Sequence, residues 1–272
     1  MQFTRRELLA GIGLGTLGIG GVTLAQGRPR YTHYTYASDG DLDDRRVRVA
    51  WYEEYNGAFQ ETQDGTADPG FDQTLDPNST PAYVEDAHFV TDANGPVLSV
   101  GNVLPGDQGT LVVGLEVVDD GDFIAESVDI WLHATLTGDA ENDINGPEQA
   151  AGDTSATDGE LDDEVVVELW RDGAPLGSCN GQKDFTESLE GSIVARSPMS
   201  VAFGSTSDVG DADGQRILGS VSPGRSRCLA LAWEFPESLA SNRSQGDSVA
   251  FDLVFAAVPA GADSPFTTEA TQ

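Results

Sequence analysis

The sequence predicts an all-β protein: an antiparallel, jelly-roll-like (Greek-key) β-sandwich with long acidic loops and one or two short helices. Three observations carry this expectation. Beyond residue 25, apolar residues seldom recur at helical spacing. Short runs rich in Val, Ile, Leu, Thr and aromatics recur instead, broken by Gly, Asp, Asn and Pro. The connections between runs are long rather than hairpin-tight, which suits Greek-key winding better than a meander.

Strands are predicted at 31–36, 47–55, 97–103, 109–118, 127–137, 164–171, 193–203, 227–234 and 248–258. Val128, Ile130, Leu132 and Ala134 alternate with Asp129, Trp131, His133 and Thr135. Val249, Phe251, Leu253 and Phe255 alternate in the same way near the end of the chain. Such alternation marks strands with one buried face. Residues 56–95, 138–163 and 204–222 read as Asp/Gly/Pro/Asn-rich connections, with helical turns expected at Thr186–Glu190 and Pro236–Ala240. In this reading a strand-prone N-terminal arm (26–48) precedes the sandwich (49–258), and a loose tail (259–272) follows it.

The formal net charge is −32, and a single lysine, Lys183, stands against thirteen arginines. Self-repulsion on this scale opposes compaction in dilute buffer but keeps a protein solvated when salt screens it. The acidity is read as adaptation to a saline medium. It excludes nucleic acid and anionic lipid as partners, because both need a basic footprint.

Residues 1–25 read as a twin-arginine-type export signal. Arg5 and Arg6 follow Thr4 and precede Leu8-Leu9; a glycine-rich apolar run then leads to small residues ending at Ala25. The alternative is a retained membrane anchor, since Leu8–Ala25 is long enough to span a bilayer, although its glycines disfavour a stable helix. In either case the body of the protein is expected outside the cytoplasm, extracellular or at the cell surface. There Cys179 and Cys228, the two cysteines of the chain, are a candidate disulfide. Asn78 and Asn242 begin N-x-S/T glycosylation sequons.

Catalytic motifs are missing. His33, His88 and His133 are scattered, no metal-binding helix motif occurs, and neither cysteine has a thiol-protease context. No enzyme activity and no cofactor is expected. Calcium enters through Asp208, Asp211 and Asp213, whose loop lacks the closing bidentate acid of an EF-hand, with the acidic run Asp39–Asp44 as a second candidate. Just after the signal, Gln26–Ser38 holds no acidic residue in an otherwise acidic protein. Within it Tyr31, His33, Tyr34 and Tyr36 form a strong β-former. It reads either as the first strand of the sheet or as an exposed strand that pairs with a neighbouring subunit.

Several segments in order resemble the TasA/camelysin group of secreted β-sandwich proteins, with SipW-type signals and of the haloarchaeal type. These are Thr4–Arg6 through Gly13, Val100–Asp107, Trp131–Thr137 with Glu141-Asn142 and Gly146–Glu148, Gly159–Asp163 before Val167–Trp170, Trp233–Pro236, and Gln245–Asp252. The resemblance implies a jelly-roll sandwich and, for filament-forming members, a head-to-tail homopolymer made by donor-strand insertion in a biofilm matrix. The segment after cleavage, Gln26–Asp44, departs from the family's pattern. The expected function is therefore a structural surface subunit whose partner is itself or another surface protein, with membrane contact only if the signal is kept as an anchor. Two alternatives stand beside it. One is a binding module for glycan or a surface protein, which would need Trp51, Trp131 or Trp170 exposed. The other is a camelysin-type peptidase, for which no metal motif is visible.

Overall fold

The computed structural model describes residues 31–38, 47–60, 87–90, 94–118, 127–173 and 179–266. They form a two-sheet β-sandwich, antiparallel except where β1 meets β4. One sheet has the order β4-β1-β2-β6-β11-β8-β9, with β3 on β2; the other runs β10-β7-β12-β5. The strands are β1 (His33–Tyr36), β2 (Val47–Tyr55), β3 (Ala58–Phe59), β4 (His88–Phe89), β5 (Val97–Gly101) and β6 (Gln108–Val117). Then come β7 (Val128–Ala140), β8 (Val166–Arg171), β9 (Ser192–Pro198), β10 (Gln215–Val221), β11 (Ser226–Glu234) and β12 (Ser248–Pro259). From β4 onward the chain changes sheet at every connection except β8 to β9.

Alternation explains the packing. Val49 and Trp51 of β2, Val113 and Leu115 of β6, and Leu229 and Leu231 of β11 point into the sandwich. They meet Ile130 and Leu132 of β7 and Phe251 and Phe255 of β12. Phe251 and Phe255 are both fully buried, each burial contributing roughly 1.5–3 kcal/mol. The larger sheet carries a second apolar layer on its other face. There Tyr31, Tyr34, Ala50, Tyr52, Val112, Trp170 and Ala230 cluster.

The four short helices of the described residues are α1 (Gly146–Ala151), α2 (Leu161–Glu164), α3 (Phe185–Glu190) and α4 (Met199–Ala202). The sequence placed only α3 among them. Asp184 caps α3 through a reciprocal box with Glu187, and Asn145 caps α1 in the same way with Glu148. The turn expected at 236–240 is present, with Ala240 N donating to Pro236 O at 3.1 Å.

Other expectations need correction. The stretch 204–222 is not all connection: β10 occupies Gln215–Val221 and pairs with β7 through bulged registers. The expected strand 193–203 stops at Pro198, and Met199–Ala202 turns into α4 with Met199 and Ala202 buried. Within 138–163, β7 continues to Ala140 before α1 and α2.

The N-terminal arm is part of the sandwich from Tyr31, since β1 pairs antiparallel with β2 from His33↔Trp51 to Tyr36↔Arg48. Of the tail, Phe266 packs its ring 5.3 Å from that of His133, and Gly261 N donates to Asp129. Among the described residues no helix is long and apolar enough to cross a membrane. The signal residues Arg5, Arg6 and Ala25 lie outside the described residues, as do Asn78 and the acidic run Asp39–Asp44.

Candidate functional site

Two places in the fold concentrate unusual chemistry. The first is a chamber of buried carboxylates at one end of the smaller sheet, and the pairing of β7 with β12 builds it. Because Ala140 sits opposite Ser248, the next residue of β7's chain, Glu141, faces the residue before β12, Asp247. Both are about 1% exposed. Glu148 reaches the same space from α1, Asp153 from just beyond its C-cap, and Glu160 from the residue preceding α2. Ligand oxygens of Glu141, Glu148 and Asp247 lie within 4.8 Å of one another, as do those of Glu141, Asp153 and Glu160.

Each outer member spends one oxygen on a local bond. Glu148 Oε2 accepts from Asn145 N within the capping box, and Asp153 Oδ1 accepts from Ser155 N at 2.9 Å. Asp247 Oδ2 accepts from Glu160 N at 2.8 Å, and Glu160 Oε1 accepts from the Arg243 guanidinium at 2.6 Å. The other oxygens, Glu148 Oε1, Asp153 Oδ2, Asp247 Oδ1 and Glu160 Oε2, are buried and accept from no donor among the described residues. The same holds for both oxygens of Glu141.

The electrostatics follow from this crowding. Burial first, then neighbouring carboxylates, raises Asp247 and Glu160 each to about 7; Arg243 lowers Glu160 without cancelling the rise. Glu141 is raised by burial and by Asp153 and Glu148. The loop leaving Glu141 is also strained, with Asn142 and Asp143 at φ +54° and +81°. Asn142 holds it by donating to Gly246 O at 3.1 Å and to Ser248 Oγ at 2.9 Å.

The second place is the seat of β1. Strand β1 lies between β2 and the two-residue β4, to which it runs parallel. Its outer-face aromatics fill the second apolar layer: Tyr34 packs on Phe89 at 5.2 Å, and Tyr31 crosses above Gly114 to put its hydroxyl 3.6 Å from Cys228 Sγ. His33 stacks on Trp51 at 5.4 Å. Tyr36 meets Phe89 edge-on and lies under the Arg48 guanidinium. Beyond β1, Ser38 bridges to Ala256 and so ties this end to the other sheet.

The disulfide lies beside this seat. Cys179 and Cys228 are bonded, with Cα atoms 5.4 Å apart. Closing a loop of 49 residues is worth about 4 kcal/mol on the chain-entropy account. Asp172, fully buried, receives the backbone N–H groups of Cys179 and Gly181 at 2.8 and 2.7 Å.

The acidic loop singled out in the sequence has a different character. Asp208, Asp211 and Asp213 are exposed, and Asp211 Oδ1 merely accepts from Asp213 N at 3.0 Å. They are not among the groups of carboxylates that converge in the described residues. Asn242 is exposed at the start of a single 3-10 turn, Asn242–Ser244. Of the tryptophans named as candidate platforms, Trp51 and Trp170 are buried, and Trp131 is half-buried.

The buried chamber was not visible from spacing, because its members are scattered from 141 to 247. Two signals were available. Asn145-x-x-Glu148 with Pro147 between announces a helix start. Glu141, Glu148, Glu160 and Asp247 also all fall in the segments that carry the family resemblance. No family model matches the chain, and no curated protein matches it either.

Proposed function

We propose that this chain is an exported, salt-adapted structural protein of the cell surface, a filament or biofilm-matrix subunit that assembles by donor-strand pairing of its mature N-terminal segment. The observation that carries this reading is the seat of β1. A four-residue strand, almost at the edge of its sheet, is held by tyrosines set into an apolar layer on the outer face of that sheet. In the isolated chain β1 fills the seat from its own molecule; in the polymer the equivalent strand of the adjacent subunit fills it. Only main-chain pairing and alternating side chains are needed for that exchange. The acid-free composition of residues 26–38 and the TasA/camelysin resemblance support the same reading, as does the twin-arginine-type signal that would hold the segment back until cleavage.

The binding-module alternative loses two of its three aromatic candidates to burial. The test is electron microscopy of the secreted mature protein at high salt, beside a variant lacking residues 26–38. Filaments from the mature protein and dispersed, folded subunits from the truncated one are expected. Filaments that persist without residues 26–38 would refute donor-strand assembly.

A further inference from the structure

We infer that the chamber formed by Glu141, Glu148, Asp153, Glu160 and Asp247 is a calcium site that fastens the end of the smaller sheet to α1 and α2. This goes beyond the structural role proposed above and does not depend on it. Five carboxylates meet in two overlapping groups of three that share Glu141, four of them almost fully buried, and the Arg243 guanidinium binds Glu160 from the rim. An isolated buried carboxylate is costly, and several together are worse unless a counter-charge joins them.

The unused oxygens describe that counter-charge. Six are buried and accept from no donor among the described residues: two from Glu141 and one each from Glu148, Asp153, Glu160 and Asp247. Calcium takes six to eight oxygen ligands at about 2.3–2.6 Å in an adaptable geometry, so opposed ligands lie about 5 Å apart. The spacing within each group, 4.8 Å or less, is of that size. Magnesium demands a tighter octahedron and keeps its waters, which carboxylates as deeply buried as Glu141, Glu148, Asp153 and Asp247 do not favour. Glu141 belongs to both groups of ligands and is the central residue, bidentate or bridging.

The surrounding chain is shaped for close approach. Gly159 lets its loop pass Asp139 and Asp247, since a Cβ there would stand 3.1 Å from an oxygen of each. The strained Asn142-Asp143 turn swings the chain from Glu141 toward α1.

The experiment is thermal unfolding of the full secreted chain, stripped with a chelator and kept at about 1 M NaCl so that surface acids are screened over about 3 Å. Calcium at a hundredfold excess over its Kd should raise Tm by about 5–10 °C, and equal magnesium by far less. Calorimetric titration should find a saturable calcium site that Glu141→Gln abolishes and Asp211→Asn, in the exposed loop, preserves. Glu141→Gln removes a buried charge, so without calcium it should be at least as stable as the parent. Equal shifts from calcium and magnesium, or a calcium response that survives Glu141→Gln, would overturn the assignment. Should that variant not fold, crystals of the parent grown in calcium decide the matter: anomalous density between Glu141 and Asp247 supports the site, and its absence rejects it.

Discussion

Tyr31 lies across Gly114, so closely that a Cβ on residue 114 would overlap the tyrosine hydroxyl. The glycine is therefore the floor of the β1 seat, and the tyrosine is the group that reads it. Gly114→Ala should expel Tyr31 while leaving the buried inner face of β6 intact. The expected loss is about 1–3 kcal/mol in urea unfolding, by the overpacking mechanism, with unchanged far-ultraviolet circular dichroism. Tyr31→Ala in the same background should then cost little more, because the two changes share one contact. Additive losses would show that Tyr31 is not seated on Gly114.

The acid chamber predicts a pH dependence of unusual sign. Asp247 and Glu160 are raised to about 7 in the folded chain, above the ordinary carboxylate values they regain on unfolding. Between roughly pH 4 and 7 the folded chain thus binds more protons than the unfolded one, and stability falls as pH rises. Asp129 acts oppositely: burial would raise it, but Gly261 N, Ser220 N and Arg216 hold it below the ordinary value, so its contribution is lost only in acid. In chelator, Tm should be higher at about pH 5 than at about pH 8. The pair of substitutions Glu160→Gln and Asp247→Asn should reduce that slope, leaving the part owed to Asp139 and Asp172, which burial raises to about 6 each; a slope of opposite sign in the parent would contradict this account.

Asp129 offers a separate test of how the smaller sheet is closed. One buried carboxylate takes three donors from two pieces of the fold: Ser220 N at 2.8 Å and the Arg216 guanidinium at 3.0 Å, both on β10, and Gly261 N beyond β12 at 3.0 Å. Asp129→Ala removes the acceptor from three donors on solvent-accessible residues and should cost about 1–3 kcal/mol in urea unfolding. Asp129→Asn, which keeps an acceptor oxygen, should cost distinctly less. Equal losses would mean that the hydrogen bonds contribute little.

The fold was legible where one face is buried and the other is not. Strand β2 falls at residues 47–55 as its pattern predicts, and β12 differs from expectation by a single residue at its end. Strand β10 was not legible because its two bulges and the positive φ of Ser220 break the period of two on which a strand is recognised. The run 193–203 misled for another reason: a short apolar stretch reads alike as strand or buried helix, and packing under α2 decides the last turn. The acid chamber was hidden most deeply. No local pattern links Glu141 to Asp247; the register of β7 against β12 does, and that register is set by the alternation of both strands along their whole length.

The way β1 is fastened decides how the molecule responds to tension. Its hydrogen bonds to β2 run across the strand, from Thr32 N to Ala37 N, and Ser38 is held on β12 at one end. A pull along residues 31–38 therefore loads all of these bonds together in shear instead of peeling them one by one. The tyrosines set against Gly114 and Phe89 resist the same displacement as steric stops. The four-residue β1, second from the edge of the larger sheet, is thus placed where a pull along the chain loads all of its cross-strand bonds at once.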